Sequence, residues 1–268
     1  MDPFGQQFAV KQVAASSTLV RGNSQLDALQ NEMRLYRDLC HPNIVRCYGM
    51  VVFDDTANII LELAPMGTVA KVVRQLSSAA RSGEHGGLTL GVARNYLSQI
   101  LAGLEYLHVR GVVHRDLKCD NVLVDANGHC KLADFGAAKS LAHVLYGNHH
   151  ATLCGTPEWL APEAFIASGS KFDWKKSDVW SLGCTLIEML TAASPWHEYL
   201  FETPGLYVED STTILFLLKK KYKIGELPSG LLHCADGARD FLGRCLQVDP
   251  SCRPSTTELC ADPFIAGL

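Results

Sequence analysis

The chain has 268 residues, 47% of them hydrophobic and 19% charged, with a net charge of −4. That is long enough for one large domain or two lobes sharing a core, and no apolar run approaches the ~20 residues of a membrane helix. The acidic balance argues against a nucleic-acid surface, and ten cysteines without a Cys-x-x-Cys pair read as reduced thiols rather than a zinc module or disulfide framework.

The opening "MDPFGQQF" carries an acid where a signal peptide would be basic, so a cytoplasmic location is expected. Residues 8–13, "FAVKQV", alternate as a strand with Lys11 set into it. An amphipathic helix is expected at 24–39, with Ser24 and Asp27 as a capping box, a stripe of Leu26, Leu29, Met33 and Tyr36, and Glu32 at its edge. Two β-type runs, 44–53 and 58–64, end at Pro65-Met66-Gly67, where a hinge is expected. Helices follow at 68–77 and 89–110, separated by a loop-like "SSAARSGEHGG". The second repeats Leu97, Ile100, Leu101, Leu104 and Leu107 at helical spacing, with Gly111 as its C-terminal cap. Further helices are expected at 176–193, 211–221, 235–247 and 255–261. The fold class is α+β, with a small β-rich lobe (1–64) followed by a hinge and a larger α-rich lobe (65–268). The basic run "KKKYK" at 219–223 reads as a solvated helix end.

"VVHRDLKCDNVLVD" (112–125) packs six polar or charged residues between apolar runs, where an unpaired buried charge is costly. "LADFGAAK", "GTPEWLAPEAF", "KSDVWSLGC" and "DPSCRP" follow in order. Together these segments resemble the signature set of the eukaryotic protein kinases: His-Arg-Asp-Leu-x-x-x-Asn, Asp-Phe-Gly and Ala-Pro-Glu at family spacing. The resemblance covers residues 8 to 265, and "HPNIVRCYG", "LAPMGTVAKVV" and "WSLGCTLIEMLTAASPW" bring it close to the MAP kinase kinase kinase group.

The resemblance implies a bilobal kinase fold and a Ser/Thr protein kinase using ATP and Mg2+, with a protein, possibly a downstream kinase, as substrate. It assigns Asp116 to orienting the substrate hydroxyl and Lys118 to the transferred phosphoryl group. Asn121 and Asp134 would hold magnesium, and Lys11, paired with Glu32, the α- and β-phosphates. Adenine would lie between Ala9 and Leu123, bonded to the backbone of Glu62 and Ala64, with Leu61 as gatekeeper. Glu163 would pair with Arg253, and Asp178 would cap the catalytic loop from below. Thr152 is the expected activating phosphosite, with Arg115 as the otherwise unpaired cation awaiting the phosphate, and Thr156 is expected to bond Asp116 and Lys118.

The family's Gly-x-Gly-x-x-Gly loop precedes its Ala-x-Lys strand, whereas here ten residues stand before Lys11, with Gly5 the sole glycine among them. A fragment or a misplaced start is therefore expected, with an inactive fragment or pseudokinase-like scaffold as the alternative function. A small-molecule phosphotransferase would lack "GTPEWLAPE". Cys119 and Cys154 beside the loops read as inert thiols, and His149–His150 as a polar stretch rather than a metal site.

Overall fold

A computed structural model describes residues 7–14, 36–53, 56–79, 86–134, 139–140, 155–166, 172–208 and 210–267. The architecture is α+β: small sheets first, then a helical body.

Strands β1 (Phe8–Ala14), β2 (Cys47–Phe53) and β3 (Thr56–Glu62) form an antiparallel sheet in the order β1-β3-β2. The run expected at 44–53 is divided. Only its second half joins this sheet, while Ile44 bridges to Leu132. The residues before Cys47 thus form a strap along the helical body, with the Val45 N–H donating to the Leu132 carbonyl and the Leu132 N–H to the Asn43 carbonyl, both at 2.9 Å. Gly103 makes this approach possible, because a Cβ there would stand 2.7 Å from the Asn43 carbonyl oxygen. Of the helix expected at 24–39, only residues 36–39 lie within the described residues; Glu32 lies outside them.

After a turn at Pro65 and Met66, β4 (Gly67–Thr68) pairs with β6 (Val122–Val124), which pairs with β7 (Cys130–Leu132). A third pair joins β5 (Val112–Val113) to β8 (Lys139–Ser140). The helical body comprises α1 (Val69–Ala79), α2 (Leu90–Val109), α3 (Pro162–Ile166), α4 (Trp174–Thr191), α5 (Ser211–Lys223), α6 (Asp236–Cys245), α7 (Thr256–Cys260) and α8 (Pro263–Ala266). The periodic leucines of α2 are all buried, and Gly111 follows its end at φ 71°, as a left-handed C-terminal cap requires.

Helix α4 is apolar or small on nearly every side and is buried almost throughout, the sequence behaviour of a central helix. Its start is fixed by Asp173, whose carboxylate accepts the Lys175 and Lys176 N–H groups. Around it Tyr222 stands edge-on to Trp180 and Trp196, and its hydroxyl donates to the Leu160 carbonyl at 3.0 Å. That buried tyrosine interrupts the basic run: Lys219, Lys220 and Lys223 are exposed, while Lys221 pairs with Glu226 at 2.6 Å.

Glu163 and Arg253 meet as the motif implied. Arg253 is fully buried and binds Glu163 through two parallel 2.7 Å bonds. Its remaining N–H groups reach the carbonyls of Gln247, Lys176 and Val248. Truncating Glu163 to Ala leaves a buried guanidinium short of its counter-ion and is expected to cost roughly 3–5 kcal/mol in urea unfolding. A loss below about 1 kcal/mol would show that the pair does not secure α3.

Candidate active site

The loop between β5 and β6 is held from beneath by one carboxylate. Asp178, in α4, is 1% exposed; its Oδ1 accepts the Arg115 N–H, and its Oδ2 the His114 N–H and the His108 Nε2, all at 2.8 Å. Burial pushes this carboxyl up, but the His108 bond and charge, with His114, outweigh it and hold the group below its usual range. The clamp matters because Arg115 has φ 71°, a left-handed conformation that a non-glycine residue keeps only where its surroundings impose it. Two N–H groups anchored on one carboxylate impose it here, and they set the direction of Asp116.

Around Asp116 the polar groups converge. Asn121 Nδ2 donates to the Asp116 carbonyl at 2.7 Å and to its Oδ2 at 2.8 Å. Asp116 Oδ1 accepts both the backbone N–H and the hydroxyl of Thr156, at 2.9 and 2.8 Å. Lys118 Nζ lies 2.5 Å from Thr156 Oγ1 and 3.7 Å from Asp116 Oδ2. An alcohol oxygen thus sits between a carboxylate and an ammonium. Gly155 permits it: its φ is 111°, and a Cβ would stand 2.6 Å from the Arg115 carbonyl.

Asp134 follows β7 in a second left-handed conformation, φ 56°. Its Oδ1 lies 2.5 Å from Lys11 Nζ, and both side chains are almost half exposed. Lys11 therefore meets Asp134 in this structure. Ala9 is the register partner of Leu61, so the two share a face of the sheet. Leu123 lies in β6, part-exposed. The Glu62 N–H is already donated to the Arg46 carbonyl at 2.9 Å, which leaves any backbone contribution of Glu62 to its carbonyl. Among the described residues no three His, Cys, Asp or Glu side chains cluster as a metal site. A hard cation could still be held by one amide and one carboxylate when phosphate oxygens complete its shell, and Asn121 and Asp134 are such a pair. With the Asn121 amide nitrogen turned onto Asp116, its Oδ1 is the atom suited to that role.

Arg115 is not the unpaired cation expected: its guanidinium stacks over the Trp174 ring, 4.3 Å from the centroid, and the residue is 9% exposed. The positive-φ backbone turns the side chain toward the start of α4, where an aromatic face takes its charge. Thr152, Cys154, His149 and His150 lie outside the described residues. Cys119 is fully buried, and burial drives its thiol well above the ordinary value, so it is not a reactive thiolate.

Two supporting residues escaped the sequence reading. His108 was legible only as a histidine near the end of an apolar helix. Glu188 stands as a lone acid within "LIEML", and its Oε2 accepts the Cys119 N–H at 3.0 Å. Burial raises its carboxyl to about 7, with the Asp120 charge acting in the same direction and the Cys119 bonds against it.

A protein kinase domain family matches residues 3–265. Mitogen-activated protein kinase kinase kinase 2 of Arabidopsis thaliana is 36% identical over 266 residues, 98% of this chain and 37% of that protein. Mitogen-activated protein kinase kinase kinase ANP1, also of Arabidopsis thaliana, is 37% identical over 98% of this chain and 36% of its own length. Human mitogen-activated protein kinase kinase kinase 3 is 36% identical over 97% of this chain and 38% of its own length. The chain therefore spans well under half the length of these relatives.

Glu188 yields a pH signature. Its folded value lies above the unfolded one, so the folded state holds the extra proton and stability falls as pH rises from about 4.5 to beyond 7. Glu188→Gln is expected to remove that component and flatten the urea-unfolding profile across this window. Parallel profiles for the two proteins would contradict the assignment.

Proposed function

We propose, because the chain belongs to the protein kinase family, that it transfers the γ-phosphate of ATP to Ser or Thr hydroxyls of a protein substrate within a mitogen-activated kinase cascade. The names of these relatives describe kinases that act on kinase kinases, and this reading gives the present chain a substrate of the same class. The observation that carries the reading is the position of the Thr156 hydroxyl, bonded to Asp116 Oδ1 at 2.8 Å and to Lys118 Nζ at 2.5 Å. A pocket that orients one alcohol between a carboxylate and an ammonium suits the orientation of another.

In this reading Asp116 accepts the hydrogen bond of the incoming hydroxyl, directs its lone pair toward phosphorus and takes the proton as the new bond forms. Thr156 yields its place on Oδ1 to the substrate, while Asn121 keeps Oδ2 fixed. Lys118 steadies the transferring phosphoryl group, and Lys11 clamps the α- and β-phosphates. Magnesium, when bound by Asn121 and Asp134, supplies further neutralisation of phosphate charge. Ala9, Leu61, Leu123 and the backbone of Glu62 and Ala64 enclose adenine, with 1–64 and 65–268 acting as lobes about the turn at Pro65–Gly67. Thr152 is the activating phosphosite in this reading; the stacking of Arg115 on Trp174 engages the face of the guanidinium and not the in-plane N–H groups that a phosphate would bond.

Asp116→Asn is expected to bind Mg-ATP nearly as the wild type does while turnover on a protein substrate falls by about two orders of magnitude or more. Equal turnover in the two proteins would overturn the reading. Mass spectrometry of active protein should find Thr152 phosphorylated. An unmodified Thr152, with full activity in Thr152→Ala, would remove it from the account.

A further inference from the structure

Lys131 is an unusual lysine: it lies in the middle of β7, only 8% exposed, with its ammonium turned away from solvent. Its register partner is Leu123 in β6, so the two side chains leave the same face of the small sheet. From there Nζ reaches Glu62 Oε1 at 3.0 Å and donates to the Pro42 carbonyl at 2.9 Å. The other oxygen of Glu62 accepts the Arg46 N–H at 3.2 Å, and the Glu62 N–H donates to the Arg46 carbonyl at 2.9 Å. The end of β3 is thereby gripped from two sides. One grip is the strap at 41–46, itself hydrogen-bonded to β7, and the other is β7 directly.

Its place in the chain gives this latch a consequence. Glu62 is the last residue of β3 before the turn, and Lys131 stands directly opposite the expected adenine floor, Leu123, and three residues before Asp134. The stretch from Lys131 to Asp134 is stiff, since Leu132 and Ala133 are buried and the Ala133 N–H donates to the Asn121 carbonyl at 2.9 Å. Movement of Glu62 relative to β7 would therefore change the distance between the backbone that faces adenine and the carboxylate that faces phosphate. With side chains 11% and 28% exposed, the Lys131–Glu62 pair is shielded from the solvent and salt that weaken surface pairs.

We propose that Lys131 is a positioning residue for the nucleotide: by holding the Glu62 carboxylate from β7, it fixes the Glu62–Ala64 backbone in register with Leu123 and Asp134. The proposal rests on the kinase reading above. Lys131 touches no reacting atom in it. Its effect is on how well one rigid ligand can meet two surfaces at once, and small misplacements of such surfaces weaken binding disproportionately.

The test compares the wild type with Lys131→Met, Lys131→Arg, Glu62→Gln and the Lys131→Met/Glu62→Gln double variant. Mg-ADP affinity is measured by calorimetry, KM and kcat with ATP and a protein substrate, and the melting temperature of each protein. Lys131→Met should weaken Mg-ADP binding and raise the KM for ATP, each by about tenfold, with kcat and the KM for protein substrate within about twofold of wild type. Lys131→Arg should recover most of the loss, and the double variant should be no worse than Lys131→Met, because both changes open the same latch. Mg-ADP affinity within about twofold of wild type in Lys131→Met, beside a lowered melting temperature, would make the lysine merely structural and overturn the proposal. Should Lys131→Met fail to fold, Glu62→Gln decides by the same criterion from the more exposed end. A wild-type chain that binds Mg-ADP normally but phosphorylates no protein would overturn the kinase reading while leaving the latch to be judged by affinity. A wild-type chain that binds no nucleotide would overturn both.

Discussion

The Asp178 carboxylate is the constraint on which the rest of the site depends. It is buried, accepts two backbone N–H groups and meets one imidazole, and holds Arg115 at a positive φ. Desolvating a carboxylate is costly, and only a full set of donors offsets it. The set is drawn from α2 and from the loop after β5, so the same bonds that satisfy the charge join helix α4 to the loop bearing Asp116. The position of Asp116 follows from the packing of two helices rather than from any preference of its own loop.

The structure separates charges that support from charges that face outward. Arg253 with Glu163 and Asp178 with His108 are buried or nearly so, and Lys131 with Glu62 is partly buried, so that losing the partner of Arg253, Asp178 or Lys131 leaves an ion short of compensation. Lys11 and Asp134 are almost half exposed, at 44% and 46%, where solvent moderates their attraction. Such a pair can part for a ligand at modest cost, whereas the supporting pairs cannot. Thr156 stands between these classes: its hydroxyl takes up Asp116 and Lys118, yet Gly155 before it is the residue that lets the chain approach so closely.

Glu188 adds a second support under the same loop, and a less settled one. Its bond to the Cys119 N–H favours the carboxylate, while burial and Asp120 oppose it. The turn that begins at Cys119, in the loop bearing Asp116, therefore rests partly on a group whose charge changes near neutral pH.

Much of this was legible in the chain. Helical periodicity placed α2, α4, α5, α6 and α7 within a few residues, because each buries one face or, for α4, every face. The ordered motifs singled out Asp116, Lys118, Asn121, Asp134, Glu163, Asp178 and Arg253, and the structure brings Asp116, Lys118 and Asn121 together with Thr156, and Glu163 with Arg253; Lys11, for which the expected partner was Glu32, meets Asp134, a contact the sequence reading did not name. Other features were decided only in three dimensions. The run at 44–53 reads as one strand because each of its halves is apolar, but its first half pairs with β7 across more than eighty residues of sequence. Arg115 found Trp174, His108 found Asp178, Glu188 found the Cys119 N–H, and Lys131 found Glu62. No local pattern encodes such partners. Periodicity and motif report which residues must be buried or which chemistry is present, whereas the counter-ion of a buried charge is chosen by which distant elements happen to pack against it.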